Sequence, residues 1–156
     1  MENDAGHEIA EALGVLLKRT TRARLYQGLT DGLGEGVDEL TYPVLSGLAR
    51  SGPRSAAELA PEIGLDRSGV TRRATRLEEA GLVRREPDPD DARASLLVLT
   101  SRGEGTVDVL RERLAGHINA ALSDWEPQEV AVFARQLREF VMRGPFRAAD
   151  EDDGTR

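Results

Sequence analysis

The chain contains no cysteine. That excludes disulfides, thiolate metal sites, a cysteine nucleophile and thiol-based redox sensing. Histidine occurs only at His7 and His117, too far apart in sequence to seed a zinc or catalytic cluster. Aromatics make up 4% of the residues, too few for the stacking surface that binds single-stranded nucleic acid. No apolar run approaches a membrane span, and the N-terminus lacks the charged-then-apolar layout of a signal peptide. A soluble, cytoplasmic protein without membrane contact is therefore expected. A G-x-S-x-G elbow and zinc motifs are also missing. GLGEGVDEL at 32–40 looks like a phosphate-binding glycine loop only superficially and follows no strand. These absences predict a protein that is not an enzyme and that uses no cofactor and no metal.

At 156 residues the chain is most simply one domain with a real core. Its net charge of −7 superficially opposes nucleic-acid binding, but the charge is unevenly spread. Residues 54–102 hold nine arginines and nine acids and are neutral, whereas 1–53 and 103–156 carry −3 and −4. A locally basic face in an acidic protein still binds phosphate, while the other surfaces repel it.

The stretch with most content is LDRSGVTRRATRLEEAGLV, residues 65–83. Stepping about 100° per residue places Val70, Ala74 and Leu77 on one narrow stripe. Ser68, Arg72, Thr75 and Arg76 fall opposite, with Arg67 and Thr71 at the edge. Four arginines and no acid occur from Arg67 to Arg76. Arginine bonds guanine edges bidentately, and hydroxyls reach bases or phosphates, so such a face suits the major groove. Taken alone, the pattern fits a solvated surface helix equally well.

Its surroundings decide more. Residues 6–30 repeat Ile9, Leu13, Leu16, Leu17 and Leu25 mostly at helical spacing, and Gly32, Gly34 and Gly36 then break the chain. A second helix is expected over 38–51, capped by Asp38, with Val44, Leu45 and Leu48 inward and Pro43 in or near the first turn. Ser55 and Glu58 form a capping box for a third helix that Pro61 shortens or kinks and Gly64 closes. Asp66 caps the arginine helix. Two short helices joined by a tight turn, the second basic, form a helix-turn-helix pattern. LVRREP and SLLVLT then read as strands around the polar loop DPDDARA, a hairpin in the position of a wing. Ser101 and Glu104 predict the cap of a long helix bearing Val107, Leu110, Leu114, His117 and Ile118 on one side. A last helix starts near Pro127, a favoured first-turn proline, with Val130, Phe133, Leu137 and Phe140 on one face. Residues 1–5 and 147–156 read as frayed ends.

With these residues in order, the chain resembles the MarR family of bacterial transcriptional regulators. The resemblance is close over about 38–105 and is carried by the helix spacing, RLEEAGLV, and the wing: Asp91, Ala92, Arg93, then Leu99, Thr100 and Gly103. It implies a mainly α fold with a small β-hairpin wing, in which a winged helix-turn-helix at 38–100 is flanked by dimerisation helices at 6–30 and 101–143. The whole of 1–156 would form a single MarR-like domain. It further implies a homodimer on a pseudo-palindromic operator in double-stranded DNA, a repressor role, and a possible small-molecule effector of unspecified kind. Carried over onto this sequence, the DNA-binding residues are Arg67, Ser68, Thr71, Arg72, Thr75 and Arg76 of the helix and Arg93 of the wing, with Asp91 orienting Arg93. The narrow minor groove, with its enhanced negative potential, suits Arg93. The other reading of the fold is a winged-helix adaptor that binds protein and not DNA.

Some residues fit less simply. Ala92 stands where relatives often have a basic residue, at the cost of one phosphate contact. Gly69 sits mid-helix, where glycine costs about 1 kcal/mol relative to alanine; either it permits a close approach or it is tolerated. Arg73, beside the apolar stripe, is expected in an intramolecular ion pair. Arg84 and Arg85 alternate across the wing strand, so at most one faces DNA. His117 reads as an interface histidine and Trp125 as a packing anchor.

Overall fold

A computed structural model describes residues 4–146. The frayed ends expected at 1–3 and 147–156 lie outside the described residues, whereas residues 4 and 5 already belong to the first helix. The elements are α1 (Asp4–Leu17), α2 (Arg19–Thr30), α3 (Tyr42–Ser51), β1 (Arg54–Ser55), α4 (Ala56–Ile63), α5 (Arg67–Glu79), β2 (Val83–Pro87), β3 (Ser95–Leu99), α6 (Ser101–Ala121) and α7 (Pro127–Arg143). The described residues divide into two compact units that part after Leu114.

The first unit holds the core. Leu29 of α2, Val44 and Leu45 of α3, Leu59 of α4, Val70, Ala74 and Leu77 of α5, and Leu97 of β3 are all essentially inaccessible. Val107 and Leu110 of α6 close it. Each helix contributes the stripe that its sequence period sets, which is how one small core draws on six elements.

Four sequence expectations need correction. The single helix expected over 6–30 is two, because Lys18 leaves helical geometry at ψ 134°. Asp38 does not cap α3. It makes a turn before the helix, its carboxylate accepting from the amides of Leu40 and Thr41, and Thr41 takes the N-cap position with Pro43 in the first turn. The wing is not a bare hairpin. β2 and β3 pair antiparallel with Val83 opposite Leu99, and the short β1 adds to the other edge of β3, with Arg54 opposite Leu97. Finally, Thr100 and not Ser101 caps α6, its hydroxyl accepting from the Gly103 amide at 3.1 Å.

Other local expectations match. Ser55 caps α4, accepting from the Glu58 amide at 3.2 Å and donating to its carboxylate at 3.0 Å. Pro61 sits inside α4, which still runs to Ile63 before Gly64 turns left-handed. α7 begins at Pro127, and the Glu126 amide donates back to the Glu129 carboxylate at 3.1 Å.

Within the second unit, Trp125 packs against Phe133 with ring centroids 5.5 Å apart, so it anchors the start of α7. His117 is exposed.

Candidate nucleic-acid interface

α4 and α5 are set against each other by a three-residue turn. The Leu65 amide returns to the Ala60 carbonyl at 2.9 Å, closing α4. Asp66 then opens α5 by accepting from the Gly69 amide at 2.6 Å. A Cβ at Gly69 would lie 2.9 Å from that carboxylate oxygen, so the glycine fits the cap rather than a neighbouring helix.

The amphipathic division of α5 is as the sequence predicts. Val70, Ala74 and Leu77 are 0% exposed. Arg67, Ser68, Arg72, Thr75 and Arg76 are exposed, and Thr71 and Arg73 are half-buried. Two hydroxyls are partly committed to the helix itself: Thr71 donates to the Arg67 carbonyl at 2.9 Å and Thr75 to the Thr71 carbonyl at 3.0 Å. Thr75 also accepts from Arg85 Nη2 at 3.1 Å, which takes one of its two acceptor positions.

The flanks of α5 are braced by two ion pairs. On the wing side, Arg85 of β2 donates to Glu78 at 3.0 Å while holding Thr75. On the other side, Arg76 pairs with Asp38 of the glycine-rich loop. The intramolecular pair expected of Arg73 therefore belongs to Arg76, because the carboxylate that reaches α5 comes from the loop on the Arg76 side. Among the described residues, Arg67, Arg72, Arg73 and Arg93 have no hydrogen-bond or ion-pair partner for their guanidinium groups. Arg84 turns away from α5, pairing with Glu86 at 2.8 Å and donating to the Leu99 carbonyl at 3.1 Å.

Although partial burial of Asp38 raises its pKa, the hydrogen bonds from Arg76 and from the Thr41 and Leu40 amides outweigh it. The carboxyl is held below its ordinary value.

The wing loop is shaped by its own acids. Asp88 accepts from the Asp90 amide and Asp91 from the Arg93 amide, both at 2.9 Å. Asp91 thus fixes the backbone at Arg93 rather than gripping its side chain. The start of α4, the first half of α5 and the wing enclose a cleft of about 660 Å³, with Arg67, Thr71, Arg85 and Arg93 on its walls beside Asp88 and Asp91. The structure brings together Arg67, Thr71, Asp91 and Arg93, sets Ser68, Arg72 and Thr75 along the exposed helix face, and holds Arg76 to one side. Sequence reasoning missed Arg85, Glu78 and Asp38. Only strand alternation hinted at Arg85, and nothing local hinted at Asp38.

The L-T-x-x-G signature of the wing has a packing reason. Thr100 donates its hydroxyl to the Gly81 carbonyl at 2.7 Å, and its amide bonds the Leu82 carbonyl at 3.0 Å. α6 starts so close to this crossing that a Cβ at Gly103 would run into the Leu82 carbonyl oxygen.

A family model described as the MarR family matches residues 35–94, the segment that contains the helix-turn-helix and most of the wing. Over that segment the chain is similar to the MarR family, and the three-stranded wing and helix-turn-helix around it form a winged-helix fold. The chain is 28% identical over 117 residues to the HTH-type transcriptional regulator YxaD of Bacillus subtilis, covering 75% of this chain and 82% of YxaD. The fold also matches that of MarR from E. coli, at a TM-score of 0.65 and 22% identity, covering 78% of this chain and 90% of that one. It is similar to the PcaV transcriptional regulator from Streptomyces coelicolor, solved with its natural ligand, at a TM-score of 0.56 and 26% identity over 85% of this chain and 89% of PcaV. YxaD and PcaV are both described as transcriptional regulators. Among the described residues no helix is long and apolar enough to cross a membrane.

Proposed function

We propose that the protein is a homodimeric transcriptional regulator that binds a pseudo-palindromic operator in double-stranded DNA and represses by occupying it. The observation that carries this reading is the set of exposed guanidinium groups with no partner among the described residues, Arg67 and Arg72 on α5, whose reverse face is fully packed, and Arg93 on the wing. A positive face free of internal partners is what a phosphate-lined groove requires. In this reading Arg67, Ser68, Thr71, Arg72, Thr75, Arg76 and Arg93 are the DNA-binding set, Arg93 enters the minor groove, and Asp91 fixes the wing that carries it.

The dimer is supported by apolar surface that the chain leaves open. Neither α1 nor α7 buries a single residue. Ile9, Leu16 and Leu17 of α1 are about half exposed or more, as are Leu137 and Val141 of α7. Exposed apolar area on this scale marks an interaction surface. Ile118, Leu122, Val130, Phe133 and Leu137 line an apolar groove between the end of α6 and α7, which supports the packing of a helix from a second copy there.

A hollow between α3 and α6 supports an effector site. Tyr42, Ser46, Arg50 and Arg111 line it with Val107, Leu110 and Leu114, and its volume is about 220 Å³. A ligand acts there only if it prefers the state with wrongly spaced recognition helices. That PcaV was solved with a ligand agrees with such a site in this fold.

The test is selection of bound fragments from the source genome, then titration of selected and random duplexes across salt. The expected result is salt-dependent binding to both, with the selected sequence far tighter. Absence of binding to any duplex would favour the protein-binding adaptor. Sedimentation at micromolar concentration is expected to show a dimer, and a folded 17 kDa monomer alone would remove the paired half-sites. Reporter expression that rises when the protein is removed identifies a repressor; expression that falls identifies an activator.

A further inference from the structure

Arg76 and Asp38 meet across 38 positions of chain, and the carboxylate is fixed before the arginine reaches it. One oxygen of Asp38 already accepts from the Leu40 amide at 2.9 Å and the Thr41 amide at 3.0 Å, which leaves the other facing α5. The fully buried Thr41 locks the same loop: its hydroxyl donates to the Gly36 carbonyl at 2.6 Å and accepts from the Asp38 amide at 3.0 Å. Gly36 seats the loop on the end of α5. At φ 82° it lies so close that a Cβ would be 2.7 Å from that of Ala80 and 3.3 Å from the Arg76 carbonyl. The start of the loop is clamped by Arg113, which donates to the Leu29 carbonyl at 3.0 Å and the Asp31 carbonyl at 2.6 Å.

We propose that Asp38 is a positioning residue for DNA binding: it grips one Nη of Arg76 and presents the rest of the guanidinium to a backbone phosphate at the C-terminal edge of α5. The proposal rests on the DNA-binding reading above. Guanidinium carries five donors, and the ion pair uses one N–H of Nη2, leaving the Nε–H, the second Nη2 N–H and the two on Nη1 to meet a second anion. The Arg76 side chain is 43% exposed, so that edge is open to solvent. An arginine already held in place loses less rotamer freedom on meeting phosphate than a free one. Arg76 differs in this from Arg72, whose guanidinium has no partner among the described residues.

The test is a double-mutant cycle read by binding to a random-sequence duplex. Asp38→Asn keeps an acceptor for the Leu40 and Thr41 amides and removes the charge. It is measured in the wild-type and Arg76→Ala backgrounds, with thermal melts to show that each variant folds. Removing a negative charge near DNA strengthens binding alike in both backgrounds, whereas losing a positioning contact weakens binding only where Arg76 remains. The expected result is a coupling of about tenfold in affinity, with Asp38→Asn the worse binder when Arg76 is present. Arg76→Ala is expected to lower the salt slope by about one unit. Equal effects in both backgrounds overturn the proposal and reduce Asp38 to a loop residue. Tighter binding only in the presence of Arg76 also overturns it, since the carboxylate then competes with phosphate. Arg76→Lys leaves Asp38 intact and keeps the charge but not the planar fork. Its affinity is expected to fall, and wild-type affinity in this variant overturns the proposal whether or not Asp38→Asn folds. A wild-type protein that binds no duplex at any salt removes the DNA-binding reading itself, and this proposal with it.

Discussion

The hydroxyl of Thr100 donates to the carbonyl of Gly81 at 2.7 Å, joining the end of the wing to the turn that follows α5. The same oxygen accepts from the Gly103 amide and so starts α6. One side chain therefore sets the angles at which three elements leave a crossing. Thr100→Val keeps the shape and removes both bonds. It is expected to cost about 1–2 kcal/mol of stability, the usual worth of a lost cap with its hydrogen bond. Gly103→Ala places a methyl group against the Leu82 carbonyl oxygen, and it is expected to cost about 1–3 kcal/mol or more by overpacking. Urea unfolding midpoints measure both. A midpoint for Gly103→Ala within error of wild type would mean that α6 moves freely relative to the wing.

The Asp38–Arg76 pair gives the fold a pH dependence whose sign follows from the pKa. The folded-state pKa of Asp38 lies below its unfolded value, so the group contributes stability that is present above the unfolded pKa. That contribution is lost as pH falls through the folded pKa. The stability difference between wild type and Asp38→Asn is expected to be largest near neutrality and to shrink steadily below about pH 4, where aspartate takes up its proton. Chemical unfolding of both proteins between neutral and acidic pH measures this. A difference that stays constant with pH would assign the contribution to the main-chain bonds of Asp38 and not to its charge.

How much of this was legible in the sequence depended on how far each signal had to travel. Helix starts at Ser55, Asp66 and Pro127 were readable because a cap acts within three residues. The stripe of Val70, Ala74 and Leu77 was readable because helical period needs no outside partner. Lys18 was not readable, since neither proline nor glycine marks the break. β1 was not, because two residues at Arg54–Ser55 become a strand only by meeting Leu96 and Leu97. Ser101 and Thr100 are adjacent hydroxyls, and S-x-x-E favoured the wrong one. The Gly81 carbonyl, 19 residues away, selected the other. The wheel position of Arg73 beside the apolar stripe points to an ion pair there, whereas the carboxylate that reaches α5 lies in a loop whose path the helix pattern does not encode, and it meets Arg76.

Arg93→Ala is expected to weaken DNA binding without unfolding the protein. Arg93 is exposed at the wing, and its structural role runs through its backbone amide, which alanine retains. Asp91→Ala is expected to weaken binding too, but by loosening the turn that holds Arg93. The two substitutions should therefore fail to add, as neighbours acting through one contact do. Affinity for a selected operator at matched salt measures the cycle. Full additivity would separate Asp91 from Arg93, and unchanged affinity in Arg93→Ala would remove the wing from the interface.

Arg72 and Thr75 both lie on the exposed face of α5, yet their hydrogen-bonding states predict different roles. Thr75 gives its proton to the Thr71 carbonyl and takes one from Arg85, so it meets DNA without a donor to read a base acceptor or a phosphate, keeping one acceptor position. Arg72 is exposed and free of internal partners among the described residues, and it retains its whole donor fork. Arg72→Ala is expected to cost about 1–3 kcal/mol on the operator and to relax preference at one base pair in each half-site, as loss of a bidentate guanine contact does. Thr75→Val is expected to leave base preference largely intact and to lower affinity slightly, through the contact of Thr75 itself and through any shift of Arg85. Each variant is titrated against the operator, its single-base substitutions and a random duplex. If Arg72→Ala weakens operator and random DNA alike, with the salt slope down by about one unit, Arg72 meets phosphate and sequence is read elsewhere, at Ser68, Thr71 or through DNA shape.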